Sequence, residues 1–474
     1  MPTRRSTHAN HTRRNAAAQR RTSRYGSRQS GQLHAGGTVR GGHAALSDSK
    51  RPRSHTPNGS ETLITRRHFL YGALGVGALA VAAGGVSVLA QQAQSSEEDV
   101  TVLTVPEESV LSSDDSAAFS LIENVGERLS LVGDFQLPYG TLVWSSDDAV
   151  AACLIPNEES AKPLAQVGLL SFASGNCPIV LKQAVGQDEG FEIYDVRAVE
   201  DGIIWTEADI LDGVWRIYTA RVNGTSIGTP ALVDEGGSDW ETPTIAATQS
   251  HAFWQVLPRT DGTKLSEDSL LKRTSFGSES GETVYSSHGR MATSPYALAT
   301  SVVITPRVDA SSVNYQLTLL DAESTTTLDS LVLPQSMKPL EAGYGTTGFM
   351  FSFDAVYNYG GGIANLGTYT PASPVTEGNY SDAPWFRFAR TPSAPPAWCG
   401  RFLMVKSTGS VCAIDLDASN YVAIDVPDGS DTYGDYLAST GTGNMAVTFT
   451  SVDYQPLGGD AVKCCRVRVW TPAA

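Results

Sequence analysis

Acidic side chains near the ends of the predicted inner strands are the residues of this sequence whose type and position best suit chemistry. Two carboxylates on either side of a cleft can act as a general acid and as a base or nucleophile in glycoside cleavage. The candidates are Asp147, Asp148, Asp201, Glu207 and Asp354. Such residues are far more common in solvated turns. A structural role in a turn is therefore expected for them more often than catalysis.

Histidine is scarce in the part of the chain that we expect to fold. After His68 only His251 and His288 remain, which makes a multi-histidine metal site hard to assemble. No G-x-S-x-G motif offers a nucleophilic serine, and the acidic turns around Asp415 and Asp428 lack the spacing of a calcium loop. We find no motif for quinone, flavin, haem or iron–sulfur binding. The sequence therefore names no catalytic set, no metal and no cofactor.

The cysteines are candidates for disulfides, and all lie after residue 90: Cys153, Cys177, Cys399, Cys412, Cys464 and Cys465. An even number in an exported chain is compatible with disulfides, although six cysteines allow 15 connectivities. The favoured pairs are Cys153 with Cys177, which one repeat unit would hold together, and Cys399 or Cys412 with one of the last two. For every cysteine, a buried thiol or a structural bridge is expected rather than catalysis.

A pair of arginines before an uncharged run indicates where the protein goes. Thr65-Arg66-Arg67-His68-Phe69-Leu70 is followed by Tyr71 to Ala90, a stretch that carries no charged residue. This pattern resembles the bacterial twin-arginine export signal, and Arg66, Arg67, Phe69 and Leu70 match its consensus. The resemblance implies recognition by the twin-arginine translocation machinery and an extracytoplasmic location. Residues 69–90 are also long enough to span a bilayer, so a released product and a membrane-anchored product both stay open.

The charge of the chain changes sign at the same point. Residues 1–67 hold 14 of the 34 basic residues but only 2 of the 50 acidic ones, although the whole chain has a net charge of −16. The Arg-rich leader lacks apolar periodicity and is predicted to be disordered; we expect no nucleic-acid binding from it. The sequence thus divides into a disordered leader at 1–64, a signal or transmembrane helix at 65–90, an acidic linker at 91–117 and a β domain at 118–474.

Short β-branched and aromatic runs alternate with Gly, Asp, Asn, Ser and Pro clusters throughout the β domain, which is typical of strands and turns. No segment keeps a helical apolar spacing over three turns, so we predict an all-β fold. Apolar runs recur at intervals of 44 to 53 residues, centred near positions 153, 205, 254, 304, 351, 404 and 448. A second alternating run follows each of them, and usually a third.

This repeat length fits one blade of a β-propeller. We predict seven blades rather than six or eight, with a pair of β-sandwiches as the alternative architecture. The last unit ends at its second run, which leaves it short of an outer strand, and a segment before the first unit, such as Arg128 to Val132 or Val100 to Val105, could supply that strand. The stretch LVWSSDDAVAACLI, Leu142 to Ile155, resembles the start of blades in TolB-like and prolyl-oligopeptidase-type propellers. This local resemblance implies a propeller without implying an activity.

The predicted function is that of an exported cell-surface propeller serving as a binding or scaffold module for an unknown protein or glycan ligand. The alternative is a glycan hydrolase or lyase that uses carboxylates at the mouth of the central channel. Two carboxylates beside an aromatic platform at that mouth would favour the alternative, and a plugged mouth would disfavour it. The aromatic residues in the irregular segments are Trp240, Tyr296, Tyr344, Trp385 and Trp398. Packing between blades is the commoner use of such side chains.

Overall fold

The computed structural model describes residues 101–105, 110–113, 115–157, 162–309, 311–353, 367–375, 378–390 and 393–474. The predicted leader, the predicted export signal and Asp354 lie outside these residues. Helical structure within the described ranges is limited to three short 3-10 helices, Val125–Glu127, Gln187–Glu189 and Tyr380–Asp382. No helix in those ranges has the length and apolar character needed to cross a membrane. The predicted all-β fold is confirmed.

The first four sheets follow one another along the chain. Sheet 1 contains β4 (Leu142–Trp144), β5 (Val150–Pro156), β6 (Ala165–Ser171) and β7 (Ile179–Leu181). Sheet 2 contains β8 (Glu192–Val199), β9 (Gly202–Asp209), β10 (Val214–Asn223), β11 (Ser226–Ile227) and β12 (Ala231–Gly236). Sheet 3 contains β13 (Thr244–Ala247), β14 (His251–Val256), β15 (Ser269–Ser275) and β16 (Glu282–Ser287). Sheet 4 contains β17 (Tyr296–Ala297), β18 (Ser301–Ile304), β19 (Gln316–Asp321) and β20 (Thr327–Val332).

The remaining sheets each include a strand from the beginning of the domain. Sheet 5 contains β21 (Pro339–Gly345), β22 (Gly348–Phe353), β23 (Thr368–Pro371), β24 (Trp385–Phe388) and β1 (Val110–Ser112). Sheet 6 contains β25 (Ala397–Cys399), β26 (Phe402–Lys406), β27 (Val411–Asp415), β28 (Asn420–Ala423), β2 (Ser120–Ile122) and β30 (Thr442–Gly443). Sheet 7 contains β29 (Tyr436–Leu437), β31 (Ala446–Tyr454), β32 (Val462–Pro472) and β3 (Leu129–Leu137).

The second strand of each sheet is the most apolar because a neighbouring sheet covers each of its faces. All residues of β14, β22 and β26 are buried, and β9 is buried except at Asp209. The outer strands are more exposed to solvent, as in β16, where only Ser287 is buried. This difference explains why the sequence shows one strong apolar run per repeat: each run marks a second strand, and weaker runs mark its neighbours.

The sheets pack face to face in chain order around a central axis, which makes the fold a β-propeller. One apolar cluster joins sheets 1 and 2, for example through Leu154 and Trp205, and also includes Val447 and Val467 of sheet 7. Other clusters join sheet 2 to 3, sheet 3 to 4, sheets 4, 5 and 6, and sheet 6 to 7. The first strands β13, β17, β21 and β25 contact one another in succession, as the innermost strands of a ring do. This arrangement excludes the pair of β-sandwiches.

The first described residues run along the outer edges of four sheets, and we name residues 101–137 the rim strap. Val102 forms a parallel bridge with Val332 of β20, and β1 and β2 lie parallel to β24 and β28. Strand β3 then pairs antiparallel with β32. The strap is anchored by apolar side chains, since Leu103, Val105 and Phe119 are all buried. It covers sheet edges that would otherwise present unpaired N–H and C=O groups.

The rim strap supplies the outer strand that the last repeat lacks. Strand β3 includes four of the five residues from Arg128 to Val132, which confirms that segment as the donor. The other predicted donor, Val100 to Val105, was wrong as a source for sheet 7, because Val102 bridges to sheet 4. Described residues of the predicted acidic linker thus lie against the propeller: Val110–Ser112 form a strand, and Leu103 is buried.

Candidate functional site

Turns between the first and second strands of several sheets meet at one end of the ring and enclose a cavity of about 460 Å³. We name it the turn cavity. Its wall comes from the β4–β5, β8–β9, β13–β14 and β17–β18 turns and from the residues after β29. The polar side chains of the wall are those of Ser145, Ser146, Asp147, Asp148, Glu200, Asp201, Gln249, Ser439, Thr440 and Thr442. This volume lies within the range of small-ligand sites.

Asp147 holds the turn of sheet 1 against the turn of sheet 2. Its Oδ1 accepts the N–H groups of Ala149 and Val150, both at 2.9 Å, and its Oδ2 accepts the N–H of Glu200 at 2.6 Å. Burial raises the pKa of this carboxyl above its usual value, and the three N–H groups partly offset the effect. Hydrogen bonds from N–H groups to a carboxylate are stronger than those between neutral groups. Both carboxylate oxygens of Asp147 therefore take part in structural hydrogen bonds.

Asp148 connects the same turn to sheet 7, on the other side. Its Oδ2 accepts the N–H of Asn444 at 2.8 Å, and its Oδ1 accepts the N–H of Met445 at 3.1 Å. The backbone of Ser145 adds two bonds to sheet 7: its N–H donates to Ala438 O and its carbonyl accepts from Thr440 N, each at 3.0 Å. The Ser-Ser-Asp-Asp turn thus joins the first sheet of the ring to the last.

Residues 438–445, which we name the crossing segment, follow β29 of sheet 7 and contact sheets 1, 4 and 6. Gly441 N–H donates to Tyr296 Oη of sheet 4 at 2.7 Å, and Gly441 O accepts from Trp398 N of sheet 6 at 2.9 Å. Gly441 has a φ of +75°, and a Cβ there would lie 3.1 Å from Ala297 O, so glycine suits both the conformation and the close approach. The crossing segment therefore links sheets 1, 4 and 6 to sheet 7 and contributes part of the wall of the turn cavity.

The acids of the turn cavity that carry no structural bond are those of the β8–β9 turn. Glu200 and Asp201 are exposed, and neither carboxylate has a hydrogen-bond or ion-pair partner among the described residues. The described residues that line the wall include four carboxylates and no Lys, Arg or His. The cavity is therefore electronegative and suited to a positively charged group.

Glu207 lies elsewhere, buried on β9 in contact with the connection between sheets 1 and 2. Its Oε1 accepts from Val185 N at 2.6 Å and from Trp205 Nε1 at 2.9 Å, and its Oε2 accepts from Gly186 N at 2.9 Å. The structure thus brings Asp147, Asp148 and Asp201 together and leaves Glu207 out, while Asp354 lies outside the described residues.

Neither histidine is among the residues that line the turn cavity. His251 begins β14, where its Nδ1 lies 2.8 Å from Ser250 Oγ, and burial lowers its pKa below the usual value. His288 is exposed, with Nδ1 3.2 Å from Asp268 Oδ1. The described ranges contain no group of three or more His, Cys, Asp or Glu side chains arranged to hold a metal ion.

The predicted aromatic platform is largely part of the core. Tyr296, Trp385 and Trp398 are buried, and Trp240 and Tyr344 are partly buried. Tyr296 Oη donates to Pro396 O at 2.7 Å while accepting from Gly441, so it positions the crossing segment. Packing between sheets is thus the main use of these rings.

A second polar region, which sequence analysis missed, consists of buried charges in sheets 5, 6 and 7. Arg390 Nη2 lies 2.5 Å from Glu341 Oε2, and Arg468 pairs with Asp435. Lys406 is 3% exposed and donates to Tyr433 O at 2.5 Å and Thr408 O at 3.3 Å. Burial lowers the pKa of Lys406 to about 8. The sequence pattern that could have indicated this buried charge is a lysine at the end of an apolar strand.

All six cysteines are described, and each is a free thiol. Cys399 Sγ lies 3.5 Å from Asn444 O and 3.7 Å from Trp470 O, and Cys465 Sγ lies 3.4 Å from Thr141 O. These contacts are with backbone carbonyls. Cys153 and Cys177 are in contact with each other within sheet 1.

The chain matches no family model and no curated protein sequence. Among solved structures, it is similar to a post-proline cleaving enzyme from Rickettsia typhi, with 11% identity, a TM-score of 0.43, and coverage of 67% of this chain and 50% of that one. It is similar to a puromycin hydrolase, with 15% identity, a TM-score of 0.41, and coverage of 74% and 54%. It is also similar to an oligogalacturonate lyase in complex with manganese, with 7% identity, a TM-score of 0.41, and coverage of 72% and 92%. The chain spans about half the length of the first two.

Proposed function

We propose that this protein is an exported, cell-surface β-propeller of seven blades that binds a positively charged ligand group in the turn cavity. The observation that carries the proposal is the composition of the cavity wall: four carboxylates and no basic side chain. An ammonium or guanidinium group, such as that of a basic peptide on a partner protein, has the matching charge. Glu200 and Asp201 are the acids free to meet it, since Asp147 and Asp148 bond to backbone N–H groups.

The seven-blade assignment assumes that each of the seven sheets is one blade of a single ring. Apart from β30, the strands of sheet 6 precede β29, β31 and β32 of sheet 7 along the chain. Val447 and Val467 of sheet 7 share an apolar cluster with Leu142 of sheet 1. The bridge between Ser145 and Ser439 and the two bonds of Asp148 support the same closure. Closure by β3, a strand from the start of the β domain, pairs the start and the end of that domain in one sheet.

Export by the twin-arginine translocation machinery is the proposed route, on the strength of Arg66, Arg67, Phe69 and Leu70. The product is either released outside the cytoplasm or anchored to the cytoplasmic membrane by residues 69–90. Either form would present the turn cavity to extracytoplasmic partners.

Glycan hydrolysis or elimination is the second candidate function, and one observation favours it. Burial raises the pKa of Asp147, as a general acid requires. Against it stand the three N–H groups that already bond to Asp147, which leave neither of its oxygens without a structural partner. Binding is therefore the better supported function.

Calorimetric titration with a lysine-rich peptide tests the proposal, with a neutral oligosaccharide as the second ligand. The double variant Glu200→Gln with Asp201→Asn should weaken peptide binding at least about tenfold, because it halves the negative charge of the wall. Asp212→Asn is the matched control: Asp212 is exposed in the β9–β10 turn, away from the cavity wall, and should leave affinity unchanged.

Equal binding of the peptide by the double variant and by wild type would contradict the proposed ligand class. A different result would support the second candidate: cleavage of a member of a glycan panel by wild type, and loss of that activity in a folded Asp147→Asn variant.

A further inference from the structure

Cys153 and Cys177 are placed together by a glycine in the neighbouring strand. Cys153 lies in the middle of β5, and its antiparallel partner on β6 is Gly168. Side chains of directly opposite residues project from the same face of a sheet, so the Cβ position of Gly168 lies on the face that carries the Cys153 thiol. Cys177 Sγ lies 2.7 Å from that Cβ position. The absence of a side chain at Gly168 therefore lets Cys177 reach over β6 to Cys153.

The two thiols differ in exposure and in acidity. Cys153 is fully buried, whereas Cys177 is partly exposed in the segment that leads into β7. The hydrogen bond between the two thiols lowers the pKa of Cys177 and, together with burial, raises that of Cys153. A thiol of lowered pKa at a partly exposed position is the one that attacks an incoming disulfide, and a buried neighbour is suited to resolve the product.

The other cysteines lack this combination. Cys399, Cys412, Cys464 and Cys465 are buried, and burial raises the pKa of each thiol. Cys465 is near enough to Cys153 to influence it electrostatically, but its own Sγ contacts Thr141 O. Among the six, only Cys177 joins partial exposure to a neighbouring thiol.

We propose that Cys177 and Cys153 form a redox-active dithiol that disulfide oxidants convert to a disulfide within sheet 1. The Cys177 thiolate attacks one sulfur of the oxidant, forming a mixed disulfide and releasing one thiolate. The Cys153 sulfur, on losing its proton, then attacks the Cys177 sulfur, forming the Cys153–Cys177 bond and releasing the second thiolate. The two protons given up by the protein thiols go to the two released thiolates. The protein dithiol loses two electrons, and the oxidant gains them as two thiols.

This site is separate from the turn cavity and does not depend on the proposed ligand. Its effect on the fold is to join the middle of β5 to the entry of β7 across β6. The open form leaves that entry held by hydrogen bonds such as Ser171 N to Asn176 O at 2.9 Å and Leu169 N to Pro178 O at 3.1 Å. Oxidation thus offers sheet 1 a covalent link in a compartment rich in disulfide oxidants, and reduction removes it.

The test incubates the reduced protein with oxidised glutathione, blocks remaining thiols and maps peptides by mass spectrometry without reduction. Wild type should yield a peptide pair linked through Cys153 and Cys177, and dithiothreitol should reverse it. Cys153→Ala should instead accumulate glutathione on Cys177, while Cys177→Ala should acquire none on Cys153. Cys412→Ala, which removes a buried thiol of another sheet, is the control and should behave as wild type.

Two outcomes would overturn the proposal: oxidised wild type with no Cys153–Cys177 link, or glutathione appearing first on another cysteine. If Cys153→Ala fails to fold by circular dichroism, a time course of wild type decides the question. It should show glutathione on Cys177 before the link forms, and a link that forms with no such adduct would contradict the assigned order of attack.

Discussion

Asp148 is a carboxylate whose hydrogen bonds connect two sheets of the ring, which is a structural role rather than a catalytic one. Its two oxygens receive the N–H groups of Asn444 and Met445, so each bond ties the first sheet to the last. A sequence motif such as Ser-Ser-Asp-Asp cannot reveal this, because the partners lie almost 300 positions away. The three donors of Glu207, Trp205 Nε1 and the N–H groups of Val185 and Gly186, lie much closer along the chain, yet no sequence motif marks them either. A buried structural acid and a channel acid have the same sequence signature.

Replacing Asp148 by alanine should lower the free energy of unfolding by about 1–3 kcal/mol, since two N–H groups lose a charged acceptor. The measurement is urea denaturation followed by tryptophan fluorescence. Asp212→Ala, an exposed acid without such bonds, is the control and should change stability by less than about 0.5 kcal/mol. Equal stability of Asp148→Ala and the control would show that these bonds do not hold the ring.

Lys406 should give the protein a distinctive alkaline stability profile. Its folded pKa of about 8 lies below the ordinary value of 10.5. Between those two pH values the unfolded chain binds more protons than the folded one, so this group makes stability rise with pH. Burial of the charged Lys406 ammonium group lowers the free energy of unfolding. This loss is fully present below pH 8 and disappears above the unfolded pKa.

Lys406→Met removes this titration. The difference in unfolding free energy between wild type and the variant should move by about 2–3 kcal/mol in favour of wild type between pH 7 and pH 10. Urea denaturation of both proteins across that range measures it, and the comparison cancels the titration of other groups. A difference that stays constant with pH would mean that Lys406 titrates normally.

The rim strap is the element whose role depends most on partners far along the chain. Strands β1 and β2 have three residues each and pair with β24 and β28, more than 270 residues later. Sequence patterns predict second strands well, because those carry long apolar runs such as those of β14 and β22. Sequence patterns predict short edge strands poorly, because such strands are half exposed and form only by pairing with the sheet edge that they cover. The acidic segment before residue 117 gave no such pattern.

A chain that begins at residue 128 lacks β1, β2 and the buried side chains of Leu103, Val105 and Phe119. It should melt on the order of 5–10 °C lower than a chain that begins at residue 101, because apolar contacts are lost. It should also scatter more light on heating, since the edges of β24 and β28 are uncovered. Differential scanning calorimetry and light scattering of the two chains test this, and identical melting would show that residues 101–127 of the strap add nothing to the stability of the ring.

At the scale of the whole molecule, the sequence predicted the class of fold through its repeat interval and its lack of helical periodicity. It could not predict the position of the crossing segment, because that segment is held by contacts between sheets 4, 6 and 7 that no local pattern encodes. The predicted export signal lies outside the described residues, and the extracytoplasmic location is a proposal based on residues 65–90.

Replacing Arg66 and Arg67 together by lysine should retain the protein in the cytoplasm, since the machinery recognises the arginine pair. Cell fractionation and immunoblotting of the producing bacterium measure the distribution. Changing Arg13 and Arg14 to lysine keeps the charge of the leader and is the matched control. Undiminished export of the Arg66, Arg67 variant would contradict the twin-arginine assignment.

The path of the rim strap also determines how the domain would respond to mechanical load. A pull at Thr101, as from a tether on that side, acts first on the single bridge of Val102 and then on the three-residue strands β1 and β2. These would detach one after another, each lengthening the chain and absorbing work. The force would reach the ring itself only at β3, whose eight residue pairs with β32 oppose it together. The strap would then act as an extensible segment in series with the stiffer propeller ring.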